Sequence, residues 1–172
     1  AEEISTPGPG QVRGLLTVAG NPVLSTPNGR ALEAAISSLD LLICVDPYLN
    51  ETTAHADYIL PPVSPLQRPH YDVVFNLLAC RTVAKWSPAV LPKAHDELDD
   101  GEILCRLHEA IAPSRRARLQ ARAKRLMGPA RLVDLALRAG PYGAGARLWG
   151  AGLTLAALRQ HPHGLDLGPL ES

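Results

Sequence analysis

Gly20-Asn21-Pro22, Val45-Asp46-Pro47 and Leu60-Pro61-Pro62 each close a short apolar run with residues that can meet a ligand. In an open parallel sheet, ligands bind outside the carboxyl ends of the strands, so these tripeptides mark where chemistry would sit. Gly20 has no side chain and lets backbone N–H groups come close to a bound group, while the Asn21 amide offers both donors and an acceptor. Asp46 stands where nucleotide-binding βαβ units place a carboxylate that accepts from ribose hydroxyls. Together they suit a nucleotide. A plain turn at Gly20-Asn21 and a helix-capping Asp46 account for the same residues without one. Neither GxGxxG nor GxxxxGK[ST] occurs, which removes most of the case for NAD or a P-loop.

The elements that must position these residues follow from the pattern of apolar residues. Gly14-Leu15-Leu16-Thr17-Val18 has the length of a fully buried strand, halted by Ala19-Gly20-Asn21-Pro22. Leu32, Ala35, Ile36 and Leu39 then recur at i, i+3, i+4 and i+7, which predicts a helix starting near Asn28. Leu41-Leu42-Ile43-Cys44-Val45 is a second strand, so the order is that of a βαβ unit with a parallel pair. A helical turn at 50–55 leads to a third short strand at Tyr58-Ile59-Leu60, cut off by two prolines. The apolar stretch 71–83 fits helix or strand. Helices are predicted over 100–111, 115–127 and 130–139, then a Gly-rich break and a last short helix at 153–159. The fold class expected is α/β: a Rossmann-like, mostly parallel sheet flanked by helices, with a C-terminal helical extension. The Pro- and Gly-rich residues 5–10 are expected to be an irregular lead-in.

Composition narrows the function classes. The chain has 172 residues, 46% apolar and 20% charged, with mean hydropathy -0.00, as expected of a folded globular chain with one domain or one domain plus an appendage. One Phe, two Trp and four Tyr are too few for an aromatic platform on which single-stranded bases would stack. The 17 basic and 17 acidic residues cancel overall but not locally. Residues 1–110 hold 14 Asp/Glu and 7 Lys/Arg, whereas 111–172 hold 10 Lys/Arg and 3 Asp/Glu. A boundary is expected near Pro113, giving an α/β part at 11–112 and a basic helical extension at 113–172. Cys44, Cys80 and Cys105 form no CxxC pair and sit in apolar runs, which predicts buried, reduced thiols and a cytoplasmic setting. No apolar stretch is long enough to span a membrane, and Ala1-Glu2-Glu3-Ile4 has no signal-peptide character. The first residues and the linker-like Gly168-Pro169-Leu170-Glu171-Ser172 suggest a piece of something longer.

Gly20-Asn21-Pro22-Val23-Leu24-Ser25, followed by Val45-Asp46-Pro47-Tyr48-Leu49-Asn50-Glu51-Thr52-Thr53-Ala54-His55-Ala56-Asp57-Tyr58-Ile59-Leu60-Pro61, resembles the central region of the molybdopterin oxidoreductases. These include formate dehydrogenase alpha subunits, periplasmic nitrate reductases and dimethyl sulfoxide reductases. The order of strand, GNP, helix, strand, Asp and then ET…ADxxLP is more specific than any of its parts. The resemblance extends over about 14–107, is strongest to formate-dehydrogenase-like members, and returns at His163-Gly164-Leu165-Asp166-Leu167-Gly168.

The resemblance implies a central domain that binds the guanosine and diphosphate end of one molybdopterin guanine dinucleotide, present in the bis-form in the parent enzyme. It implies cofactor-binding roles for Gly20, Asn21 and Pro22 after the first strand, and for Val45 and Asp46 at the nucleoside. It also implies Arg68 where such enzymes carry a basic residue, and Asp100 near the guanine. The chemistry agrees, since guanine N–H donors suit a carboxylate and a diphosphate suits a guanidinium. The context of Arg68, Leu66-Gln67-Arg68-Pro69-His70, departs from the family's Glu-Lys-Glu-Gly style. The family's N-terminal cysteine cluster for an iron–sulfur centre and its ligand to molybdenum or tungsten have no counterpart here. No catalytic or metal-binding residue is therefore expected, and the chain alone is expected to be inactive. Expected partners are the missing N- and C-terminal domains of the parent and an electron-transfer subunit.

Other features are weaker. His161 and His163 could ligate a metal but lack a third ligand nearby, and His55 and His70 are expected at a helix end and in a loop. Arg115, Arg118, Arg122 and Arg125 fall on one helical face, which could bind nucleic acid, face solvent or dock on an acidic part of the parent; the parent is the reading adopted, with no nucleic acid as partner. Two rival functions remain: a stand-alone nucleotide-binding regulatory module, and a nucleic-acid or interaction protein built on the basic helices.

Overall fold

The computed structural model describes residues 1–143 and 152–169. Most of the Gly-rich break and residues 170–172 lie outside the described residues. The contacts divide the chain into two units, 1–63 and 64–172. The charge change near Pro113 falls inside the second.

The first unit runs α1 (Glu2–Ser5), β1 (Gly14–Val18), α2 (Pro22–Ser25), α3 (Gly29–Ile36), β2 (Leu41–Val45), a 3-10 turn (Thr53–His55) and β3 (Tyr58–Ile59). Its three strands form one parallel sheet in the order β1-β2-β3, with Gly14 opposite Leu41, Val18 opposite Val45 and Ile43 opposite Tyr58. Asp57 fixes that register: its carboxylate accepts from Leu42 N at 2.7 Å, and its own N–H donates to Leu42 O at 2.9 Å. Ile36, Leu42 and Cys44 are buried together, with Leu15, Val23, Leu32, Leu39 and Ala56 packed around them. The helix stops at Ile36, short of Leu39, because the Ser37 and Ser38 hydroxyls donate to the Glu33 and Ala35 carbonyls. Leu39 reaches the core from the turn that follows. At Gly29 a Cβ would lie 2.2 Å from the Val23 carbonyl oxygen, so only glycine lets α3 start this close to α2. β1 is not fully buried as expected: it is an edge strand, and Leu16 and Val18 remain exposed.

The second unit holds β4 (His70–Tyr71), a 3-10 turn (Phe75–Leu78), β5 (Arg81–Ala84), β6 (Trp86–Ser87), α4 (Asp100–Ile111), α5 (Arg115–Met127), α6 (Pro129–Ala139), α7 (Leu155–Arg159) and β7 (Leu165–Pro169). β4 pairs with β6 and β5 with β7, both antiparallel. The ambiguous stretch 71–83 thus splits between a 3-10 turn and strand, and Gly168-Pro169 of the expected linker closes the strand β7, its remaining residues lying outside the described ones. His70 lies in a strand, not a loop. The core gathers Ala84, Trp86, Leu137, Leu153, Leu155 and Leu158. Helix starts are set by side chains: Asp99 and Glu102 form a capping box on α4, Ser114 caps α5 and Thr154 caps α7. Only Cys44 matches the expectation of a buried thiol; Cys80, in the turn before β5, is exposed and Cys105 is half-buried.

Asp134 ties α6 to α7, accepting from Arg138 Nε at 2.8 Å and from Leu155 N at 2.8 Å. The Arg138 hydrogen bond and then that of Leu155 hold its carboxyl below the ordinary value. A group whose pKa falls on folding stabilises fully above its unfolded value of ~4, and the effect is lost as the pH drops through the folded value. Asp134→Asn keeps an acceptor for Leu155 but removes the charge. It should therefore melt below the native chain at neutral pH, with the gap closing in acid; a gap independent of pH would assign the effect to shape.

Candidate functional site

The carboxyl ends of β1 and β2 lie side by side and turn away together. Ala19 takes a left-handed conformation, φ 50°, and donates to Val45 O at 2.9 Å, which holds the first strand tip against the second. A non-glycine residue there costs on the order of 1–3 kcal/mol, and such strain clusters where ligands bind. Beyond it Asn21 joins the loop after β2: its Oδ1 accepts from the Thr52 hydroxyl at 2.7 Å, and its Nδ2 donates to Glu51 Oε2 at 2.5 Å. Thr52 is fully buried and its Oγ1 also accepts from Val23 N at 3.1 Å. The sequence pattern therefore brings Gly20, Asn21 and Pro22 together with the loop that follows Val45 and Asp46.

Asp46 is buried, and its oxygens are engaged within its own loop. Tyr48 N donates to Oδ1 at 2.8 Å, and Asn50 Nδ2 stands 3.4 Å from Oδ2. Asn50 in turn accepts from the N–H groups of Thr52 and Thr53, both at 3.0 Å, while Thr53, also buried, donates to Tyr48 O at 3.0 Å. These bonds organise the loop. Asn50, Thr52 and Thr53 were not among the expected site residues, and the signal for them is the cluster of short polar side chains directly after Asp46-Pro47. Glu51 was missed as well. It is the exposed carboxylate of the site, and the Asn21 amide, followed by a backbone N–H, holds its carboxyl below the ordinary range.

Arg68 and Asp100 belong to the second unit. There they meet each other, Arg68 Nη1 donating to Asp100 Oδ1 at 2.5 Å, with both side chains about one-third or less exposed. Asp100 Oδ1 also accepts from Gly101 N at 2.9 Å, at the start of α4. Two residues expected to bind separate parts of one ligand thus form an ion pair. His55, at the end of its 3-10 turn, meets Ser37 and Glu33, both at 3.2 Å. Among the described residues no three His, Cys, Asp or Glu side chains gather as a metal site, and no helix is long and apolar enough to cross a membrane.

The strand tips combine a carboxylate acceptor with backbone donors. Glu51 can accept from base or ribose donors, and the N–H groups of Gly20 and Asn21 have no protein acceptor among the described residues. Neither 19–28 nor 46–57 contains Lys or Arg, so an anionic group at these strand tips would meet backbone N–H groups.

No protein-family model matches the chain. It is 28% identical over 106 residues to the assimilatory nitrate reductase catalytic subunit of Bacillus subtilis, a match covering 62% of this chain. It is 43% identical over 54 residues, 31% of this chain, to the F420-dependent formate dehydrogenase 1 subunit alpha of Methanococcus maripaludis. The matches span 14% and 8% of those two relatives. Both relatives are molybdopterin oxidoreductases, and it is the molybdopterin oxidoreductases that this α/β chain resembles.

Proposed function

We propose that the chain is the central cofactor-binding part of a formate-dehydrogenase-like, cytoplasmic molybdopterin oxidoreductase, and that it holds the guanosine diphosphate end of a molybdopterin guanine dinucleotide. The observation that carries this reading is the junction of the two strand tips, where the Gly20-Asn21 backbone and the Glu51 carboxylate are set beside each other by Thr52. Similarity in sequence to two oxidoreductase subunits supports it. Bound, such a cofactor supplies redox chemistry at a metal carried by its pterin end. The residues of this chain bind and orient the opposite end. Gly20 and Asn21 donate through their N–H groups, Glu51 accepts, and Asp46 keeps the 46–53 loop in register with them. In the second unit, opening of the Arg68–Asp100 pair would free a guanidinium for phosphate and a carboxylate for guanine N–H donors.

In this reading 11–112 is the dinucleotide-binding part and 113–172 an extension toward a further C-terminal domain. The parent contributes the second dinucleotide, molybdenum or tungsten, the iron–sulfur cluster and contacts to an electron-transfer subunit. This chain alone turns over nothing.

The test uses the full-length parent, from which guanine nucleotide is released by acid and counted per mole of protein. Glu51→Gln should lower that content with little change in the melting of the cofactor-free protein, whereas Asn21→Ala, which keeps the backbone N–H but strips the buried Thr52 hydroxyl of its acceptor and frees Glu51, should lower both. Full guanine content in both variants would remove the strand tips from the binding site.

A further inference from the structure

The basic residues of the second unit are not spread evenly. Among the described residues Arg68, Arg81, Lys93, Arg125 and Arg138 each have a carboxylate within 4 Å. Among the described residues no such partner stands beside Arg106 of α4 or Arg115, Arg116, Arg118, Arg122 and Lys124 of α5, whereas the other cations of the unit without one, Lys85, Arg131 and Arg159, are scattered elsewhere. α5 explains the arrangement. It packs on α4, with Ala121 buried, and Arg125 ties the two helices by donating to Glu109 at 2.7 Å. With that face used, Arg115, Arg118, Leu119, Arg122 and Leu126 recur at helical spacing on the outer side. Leu119 is 66% and Leu126 68% exposed. Next to them Arg106, Arg118 and the Arg125–Glu109 pair, with Ala110, border an open depression of about 660 Å³, on balance cationic.

We propose that this outer face of the α4–α5 pair docks an acidic protein surface, one on which carboxylates alternate with apolar side chains. The proposal stands apart from the dinucleotide reading, since none of these residues belongs to that site. Charge complementarity selects the sign of the partner. The cations are arginines with one exception, and a guanidinium grips a carboxylate through two parallel hydrogen bonds where an ammonium acts as a point charge. The leucines select its class. A nucleic-acid phosphate backbone offers nothing to Leu119 and Leu126, and no aromatic side chain stands among them to stack on bases. A helix lying on a lipid surface needs a continuous apolar side, whereas these leucines sit between Arg115 and Arg122 on one flank and Arg116 on the other. Cationic residues with apolar anchors among them are the composition of a protein interface, where Arg is enriched and Lys depleted.

The experiment measures binding of the full chain at physiological salt to four probes: a three-heptad helical peptide with Glu and Leu interleaved, its Glu/Ser counterpart, random duplex DNA, and phosphatidylserine/phosphatidylcholine vesicles. The Glu/Leu peptide should bind about tenfold or more tightly than any other, a step of ~1.4 kcal/mol. The triple variant Arg115→Glu, Arg118→Glu, Arg122→Glu should lose at least that factor. Leu119→Ser with Leu126→Ser should bring the Glu/Leu peptide down to the Glu/Ser level. All five positions are exposed, so circular dichroism should show both variants folded. Tighter binding to DNA or to vesicles, or a Glu/Leu peptide that ignores the leucine variant, would overturn the proposal.

Discussion

Replacing Leu42 by alanine should unfold the first unit. Leu42 is 1% exposed and stands between Ile36 and Cys44 on the face of the sheet that α3 covers. Truncating a buried leucine costs ~2–5 kcal/mol, because the hydrophobic transfer is lost and the cavity relaxes only in part. A unit of 63 residues has little reserve against that loss, since small cores rarely supply more than ~3–5 kcal/mol. The measurement is amide hydrogen exchange across β2, whose protection should collapse in Leu42→Ala. Leu41, the next residue, is 40% exposed and points to the other face, so Leu41→Ala should cost under ~1 kcal/mol and leave that protection in place. Equal losses at the two positions would show that the faces of the sheet are assigned the wrong way round. The functional consequence follows along the strand: Asp46 leaves the end of β2, and the 46–53 loop it organises loses its anchor with it.

In the full-length parent, Arg68→Ala should weaken retention of the guanine dinucleotide by roughly 10–150-fold, the range given by ~1.5–3 kcal/mol for a hydrogen bond to a charged group. The same substitution should hardly change the melting of the cofactor-free protein. Its pair with Asp100 is partly exposed, and such pairs contribute ~0–1 kcal/mol. Asp100 also keeps a donor in Gly101 N when Arg68 is removed. Binding and stability therefore separate at this residue. A variant that retains its dinucleotide while melting lower would make Arg68 a structural partner of Asp100 and leave the diphosphate to the backbone N–H groups of Gly20 and Asn21.

The two longer strands of the first unit and the helices of the second were legible in the sequence because their signals are local. β1 and β2 are apolar runs bounded by Ala19-Gly20-Asn21-Pro22 and Asp46-Pro47, and both occupy the expected residues. α4 and α5 also match to the residue, since acids at one helix start and Ser114 before the other mark where unpaired N–H groups need acceptors. The cluster at the strand tips was legible in part. Its position follows from the parallel order alone, and Gly20, Asn21 and Asp46 are its most conspicuous residues.

Tertiary structure decided what depends on residues far apart in the chain. β5 finds its partner in β7, with Arg81 and Asp166 paired across 85 positions, and no local pattern encodes that return. The two-residue strands β4 and β6 are too short to carry an alternating signature. Arg68 and Asp100, each plausible alone as a ligand-binding group, turned out to satisfy one another across 32 positions. Thr52 looked like any polar loop residue, yet burial makes its hydroxyl the link that Asn21 and Val23 share. Sequence fixes which side chains can accept, donate or carry charge; only the folded chain determines which of those capacities are already used within the protein and which remain for a ligand.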